Sequence, residues 1–324
     1  MRGRRKRGKR RRRTTVRPKA ERIRKMRGVE KLRLPAGRES DIVIGDAPEK
    51  ERTIIRKKEK RGMYRHHEES LKIMEEYFRN KKEVIALIFG GSVAKGKERP
   101  DSDLDGMVIV PDEYYEKLAA QNRTAETISG LCTYEGGYFD VKYMTKDYLR
   151  AAAEKGSEPT RNSFIKSRVL FSSDPEIEEL VAAIPVFQEQ EREDKMLSFY
   201  SDLQLNYHYF WKCCAPEGYM RARTASEIVY SIYRLILQEN RVLFPCNRRL
   251  EETVAALDNK PDGIVELCRR FCETMEDELA DRIVESYHAW TCYPHQEDPS
   301  VYQSRYCADF EQWWRNPRPL IAEW

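Results

Sequence analysis

The chain is long enough for about two domains, and its charge is distributed unevenly. It has 324 residues and a formal net charge of +5, but residues 1–62 carry 26 Lys and Arg against 8 Asp and Glu, whereas the remainder carries 33 against 46. Nothing approaches the ~20 apolar residues of a membrane span, and the Arg-rich start lacks the apolar region of a secretory signal. The eight scattered cysteines are typical of reduced thiols, so we expect a cytoplasmic protein.

Residues 1–62 form a basic, low-complexity arm that we predict to be disordered, because blocks of like charge repel one another. One interpretation is a tail that binds nucleic acid non-specifically through phosphates. The other is that the arm does not belong to the mature protein, since codons for Lys58-Glu59 can resemble a ribosome-binding site upstream of Met63. On that interpretation we hypothesise that translation starts at Met63.

The next part of the chain alternates helices and short strands. Leu71, Met74, Tyr77 and Phe78 lie on one face of a predicted helix, and apolar runs with β-branched residues predict buried strands. The predicted helices are Glu68–Asn80, one that begins near Asp112, and Lys146–Lys155. The predicted strands are Val84–Phe89, Gly106–Val110, Tyr138–Tyr143 and Arg168–Phe171.

From Glu176 onward the apolar residues recur with helical periodicity. The predicted helices are Glu176–Ala183, Gln188–Trp211, Ala225–Gln238, Leu250–Leu257, Gly263–Tyr287 and Asp309–Arg315. We therefore predict an α/β (α+β) fold, in which a domain with a small mixed sheet over residues 63–175 precedes a helical bundle over residues 176–324.

A glycine-rich turn follows the first predicted strand, in the order Gly90-Gly91-Ser92. Glycine lets a backbone approach a ligand closely, and the N–H groups at a following helix start favour anions. The Ser92 hydroxyl can donate to a phosphate oxygen, and Lys95 lies one turn later. Gly90, Gly91, Ser92 and Lys95 are therefore the candidate nucleotide-binding residues.

Three aspartates follow this turn on two strands. Asp103 and Asp105 are two residues apart where a strand begins, so their carboxylates point to the same face. Asp140 is an isolated acid in a later apolar strand, where burial without a cation would be costly. Carboxylates that converge in this way suit Mg²⁺, and three of them can hold a two-metal site.

These motifs together resemble the DNA polymerase beta-like nucleotidyltransferase superfamily. Its pattern is Gly-Ser, then Asp-x-Asp about ten residues later, then a third Asp on a later strand, and here the matches are Gly91-Ser92, Asp103-Leu104-Asp105 and Asp140. The resemblance is specific over about residues 84–143 and is nearest to small bacterial and aminoglycoside-type members with a C-terminal helical domain. It implies that Asp103 and Asp105 bind metal and that Asp140 binds metal, assists deprotonation of the acceptor, or does both.

The reaction that this resemblance implies is Mg²⁺-dependent transfer of a nucleoside monophosphate, most simply AMP from ATP, to a hydroxyl of a small molecule. Glu227, on a predicted helix, is a further candidate base, and Lys166 and Arg168 are candidates to meet phosphate or an acidic substrate. Two alternatives stay open. One is a protein adenylyltransferase of toxin–antitoxin type, and the other is an enzyme on RNA ends that uses the basic arm.

Overall fold

A computed structural model describes residues 63–317, so the basic arm and the interpretations placed on it lie outside the described residues. The strands are β1 (Ala86–Phe89), β2 (Leu104–Ile109), β3 (Ala125–Ser129), β4 (Tyr138–Met144) and β5 (Arg168–Ser172). The helices of the first part are α1 (Arg65–Arg79), α2 (Gly91–Ala94), α3 (Asp112–Ala120), α4 (Lys146–Lys155) and α5 (Glu158–Ser163). Those of the second part are α6 (Glu176–Ala183), α7 (Arg192–Gln204), α8 (Gly218–Glu239), α9 (Asn247–Ala255), α10 (Ile264–Thr274), α11 (Asp277–Trp290) and α12 (Pro299–Tyr306).

The five strands form one mixed sheet in the order β3-β4-β2-β1-β5. Strand β2 runs parallel to β4, and the other neighbours are antiparallel. The register pairs Asp105 with Asp140 and Phe89 with Gly106. As a result, the end of β1 and the starts of β2 and β4 meet at one edge of the sheet. The predicted mixed sheet with flanking helices is confirmed.

Alternating side chains of the central strands bury the two faces of the sheet separately, as the twofold period of a strand requires. One face packs against α1, and its fully or nearly fully buried residues include Met74, Phe78, Leu87, Phe89 and Leu104. The other face packs against α4–α6, and its buried residues include Ile88, Met107, Leu149, Phe164 and Ile177. Because both faces are covered, functional side chains on this sheet are accessible only at its edge.

The helices that follow the sheet have a core of their own. Helix α8 is central to it, and its buried residues pack with apolar side chains from the helices around it, which include Phe199, Trp211, Phe271, Ile283 and Tyr287. The bundle predicted for this part is therefore present. No helix among residues 63–317 is both long enough and apolar enough to cross a membrane.

Five local features differ from the prediction. The sequence reasoning missed β3, whose residues are alternately half-buried and exposed, and α5, which has only six residues. The helix predicted over Gly263–Tyr287 is two helices, because Met275 adopts a φ of 54° that ends α10. The end of the predicted Gln188–Trp211 helix is a π-helix over Leu205–Cys213. The last predicted helix, Asp309–Arg315, is instead the end of a π-helix over Cys307–Glu311 followed by a 3₁₀ turn over Trp313–Arg315.

Candidate active site

The carboxylates of Asp103, Asp105 and Asp140 converge at the edge of the sheet. Each offers an oxygen, and these oxygens all lie within 4.8 Å of one another. The parallel register of β2 and β4 places Asp105 beside Asp140, and Asp103 precedes β2 by one residue. All three residues are half-buried, so the site is open to a ligand from one side.

The Gly90-Gly91-Ser92 turn lies against this acidic cluster. The Gly90 N–H donates to the Asp105 carbonyl oxygen at 3.1 Å, and the Ser92 N–H acts to lower the pKa of the Asp105 carboxyl. Gly91 has a φ of 72° and begins the short helix α2. A Cβ atom at Gly91 would lie 1.6 Å from Oδ2 of Asp105, so only glycine allows the turn to approach this closely.

Asp105 is the most strongly perturbed acid of the cluster. Burial, together with the negative charges of Asp103 and Asp140, raises the pKa of Asp105 to about 6, although Lys142 and the Ser92 N–H act in the opposite direction. Three like charges this close repel one another unless a cation lies between them. The donor set is also all-oxygen, as hard divalent cations prefer. The residues therefore fit a Mg²⁺ site.

Lys95 lies at the end of α2, on the side of the turn that faces α5. Its Nζ donates to Oδ1 of Asn162 at 2.9 Å, and its carbonyl oxygen accepts from Nζ of Lys166 at 3.4 Å. Burial lowers the pKa of the Lys95 ammonium from its ordinary value, while the charge of Asp105 raises it. Lys95 is thus close enough to the acidic cluster to interact electrostatically with Asp105.

The loop that precedes Asp103 is held by residues that sequence reasoning did not single out. The Ser102 carbonyl oxygen accepts from the Tyr134 hydroxyl at 2.5 Å and from Nε2 of His67 at 3.1 Å. Because a carbonyl can only accept, Nε2 of His67 carries the proton. His67 is fully buried, whereas Tyr134 comes from the loop before β4. These contacts join points more than 30 residues apart, and no local pattern could reveal them.

The sequence also suggests Arg168, Lys166 and Glu227 as candidate site residues. Arg168 begins β5 and pairs with Phe89, and its guanidinium lies 5.4 Å from the Phe89 ring centroid. With Lys95 and Lys166, it lines an open cavity of about 700 Å³ beside α1 and α2. Glu227 is on α8, outside the acidic cluster, and its carboxylate lies 3.7 Å from Arg223. Burial raises the pKa of Glu227 from its ordinary value.

Comparison with known proteins identifies the domain that carries this site. Residues 68–171 match the family model described as a nucleotidyltransferase domain. This range includes the glycine-rich turn and all three aspartates. The chain therefore contains a nucleotidyltransferase domain, and the resemblance to that superfamily is confirmed for this part of the chain. No curated protein sequence matches the chain.

Two solved structures are similar to this chain at low sequence identity. One is a nucleotidyltransferase-like protein from Exiguobacterium sibiricum 255-15, with 14% identity, a TM-score of 0.39, and coverage of 77% of this chain and 80% of that chain. The other is the spectinomycin adenyltransferase AAD(9) from Enterococcus faecialis with ATP and spectinomycin, with 13% identity, a TM-score of 0.29, and coverage of 73% of this chain and 95% of that chain. At these scores neither likeness bears on the substrates of this chain.

Proposed function

We propose that this nucleotidyltransferase moves a nucleoside monophosphate, AMP from ATP, to a hydroxyl group of a small molecule and releases pyrophosphate. The observation that carries the proposal is the convergence of Asp103, Asp105 and Asp140 within 4.8 Å, directly beside the Gly91-Ser92 turn. A cation site and an anion-binding turn in contact with each other are what a metal-bound triphosphate requires.

In this proposal, Asp103, Asp105 and Asp140 hold the Mg²⁺ ions. When bound, Mg²⁺ neutralises charge on the triphosphate and makes the phosphorus more open to attack. The protein supplies the carboxylates on two rigid strands, so their positions are fixed before substrate binds. The same convergence explains why Asp105 is costly to ionise without a cation.

The neighbouring residues bind and orient the nucleotide. In this proposal, N–H groups at the start of α2 and the Ser92 hydroxyl donate to phosphate oxygens. The Lys95 ammonium adds a positive charge within one turn of Ser92. Phosphoryl transfer depends mainly on such positioning and charge neutralisation. The acceptor hydroxyl would attack the α-phosphorus in line and would lose its proton to a carboxylate, for which Asp140 is our candidate.

We assign the acceptor to the helical part, in a two-domain arrangement with nucleotide chemistry over residues 63–175 and acceptor binding over 176–324. The support is that these helices have their own apolar core. In addition, the carbonyl oxygen of Leu243, in the segment between α8 and α9, accepts from Asn162 of α5, which also bonds to Lys95. A helical part of this size favours a pocket for a small molecule. Any nucleic acid would be bound through residues 1–62. The eight cysteines are free thiols, which favours a cytoplasmic location.

The experiment that tests this function incubates the full chain with Mg²⁺, each α-labelled nucleoside triphosphate and a panel of hydroxyl acceptors. The panel holds small molecules, proteins and RNA, and Asp103→Asn is the matched inactive control. We expect label from ATP in a small-molecule product, with pyrophosphate released in equal amount. Label in protein or at RNA ends would contradict the small-molecule acceptor, and label from another triphosphate would contradict ATP.

A further inference from the structure

We propose that Asn162 is a positioning residue that holds the Lys95 ammonium in place for the triphosphate. The inference rests on the proposed nucleotide-binding role of Lys95 and extends it to a residue 67 positions away in the chain. Asn162 does not touch the three carboxylates in the described contacts, so its effect on nucleotide binding would pass through Lys95.

The side chain of Asn162 makes two directed hydrogen bonds. Its Oδ1 accepts from Nζ of Lys95 at 2.9 Å, and its Nδ2 donates to the carbonyl oxygen of Leu243 at 3.1 Å. The second bond fixes the amide orientation, because only the NH₂ group can donate to a carbonyl. Oδ1 must then face Lys95. A flexible ammonium is in this way held at one point beside the turn.

The helix that carries Asn162 is itself anchored at its first turn. Glu158, one turn earlier on α5, is fully buried and accepts hydrogen bonds from Lys195 at 3.0 Å, Gln238 at 2.6 Å and the backbone N–H of Phe244 at 3.0 Å. The partners of Glu158 and Asn162 at Gln238, Leu243 and Phe244 belong to the end of α8 and the segment that follows it. This segment therefore holds α5 in position, and α5 in turn holds the Lys95 side chain in position.

A second contact from the same stretch of chain supports this arrangement. Lys166 follows α5 and donates to the carbonyl oxygen of Lys95 at 3.4 Å. Lys166 adopts a φ of 58°, a left-handed conformation that is unfavourable for a residue with a side chain. Such strain persists only where the surrounding structure enforces it. Helix α5 thus contacts the side chain of Lys95, and the connection from α5 to β5 contacts its backbone.

The test is a double-mutant cycle on nucleotide binding with Asn162→Ala, Lys95→Met and the two combined. Ser163→Ala is the matched control, because the Ser163 hydroxyl bonds only within α5, to the Thr160 carbonyl oxygen at 2.6 Å. Equilibrium binding of ATP with Mg²⁺ to the full chain is measured without acceptor, together with KM and kcat in the transfer reaction. Thermal melting reports whether each variant folds, and Asn162→Ser replaces Asn162→Ala if the latter does not.

We expect Asn162→Ala to weaken ATP binding at least about 5-fold, and to have no further effect once Lys95 is Met. KM for ATP should rise while KM for the acceptor stays unchanged, and Ser163→Ala should match the wild-type chain. Full additivity in the cycle, or wild-type affinity in folded Asn162→Ala or Asn162→Ser, would overturn the inference alone. Absence of ATP binding by the wild-type chain would overturn the proposed function and the inference with it.

Discussion

Gly91 and Asp105 are so close that a single methyl group at position 91 would overlap the carboxylate of residue 105. The distance from an ideal Cβ at Gly91 to Oδ2 of Asp105 is 1.6 Å. The obstacle is the carboxylate itself, which is a short side chain held beside two other acids. The glycine-rich turn and the acidic cluster are therefore in direct contact.

Substitution at Gly91 should separate the effect of this contact from the effect of backbone conformation. Gly91→Ala introduces both the overlap with Asp105 and the strain of a φ of 72°. Gly96→Ala has a similar φ of 69° but nothing within 4 Å of its Cβ, so it introduces the strain alone. We expect both variants to lose about 1–2 kcal/mol of stability from strain, and Gly91→Ala to lose more.

Only Gly91→Ala should also lose nucleotidyl transfer, by at least about 100-fold, because it displaces a carboxylate that positions the reaction. Urea denaturation and initial rates of the two variants, measured side by side, give both quantities. Equal rates in the two variants would show that the turn and Asp105 act independently.

The buried carboxylate of Glu158 should be a major determinant of stability. Glu158, Lys195 and Arg234 are almost fully buried, and Glu158 accepts from both cations, from Arg234 at 3.4 Å. Glu158→Gln removes the charge that these cations face. Loss of one partner in a buried ion pair costs about 3–5 kcal/mol. Because Lys195 also pairs with Glu191 at 3.2 Å, we expect the loss to lie at the lower end of this range.

The matched control is Glu189→Gln. Glu189 pairs with Arg241 at 2.9 Å, but about half of each side chain is exposed, so its loss should cost below about 1 kcal/mol. The free energy of unfolding in urea measures both variants. If Glu158→Gln is as mild as the surface variant, the anchoring of α5 by this carboxylate is wrong.

Asp202 should make stability depend on pH. Its side chain is fully buried in the helical core, where burial raises its pKa to about 7 despite hydrogen bonds from Ser231 and Asn206. The folded pKa therefore exceeds the unfolded value of 3.8. A group of this kind contributes stability that is complete below the unfolded pKa and is lost as pH rises through the folded pKa.

We therefore expect the Asp202 contribution to the free energy of unfolding to fall between about pH 4 and about pH 7. Asp202→Asn keeps the shape and removes the titration, so the difference in stability between wild type and variant should change across this range, to the advantage of the variant at higher pH. Thermal melting across a pH series measures the difference. A difference that is constant with pH would contradict the assigned burial.

The convergence of the acids could be predicted because strand alternation and chain order are local properties. Asp103 and Asp105 face one way because they are two residues apart. Asp140 joins them as soon as its strand lies next to the strand of Asp105. Asn162 and Glu158 could not be found in the same way. They lie on a six-residue helix that is too short to show a period, and their partners are 37 to 86 residues distant. The break between α10 and α11 at Met275 could not be predicted for a different reason, because neither glycine nor proline marks it in the sequence.

The central claim is that Asp103, Asp105 and Asp140 together support metal-dependent nucleotidyl transfer. Its most direct test is the rate of transfer from α-labelled ATP, with Mg²⁺ present or removed by chelation, in the wild-type chain and in Asp103→Asn, Asp105→Asn and Asp140→Asn. We expect transfer that requires Mg²⁺ and falls at least about 100-fold in each variant while the fold is retained. Transfer that survives chelation, or that persists at the wild-type rate in Asp103→Asn or Asp105→Asn, would contradict it.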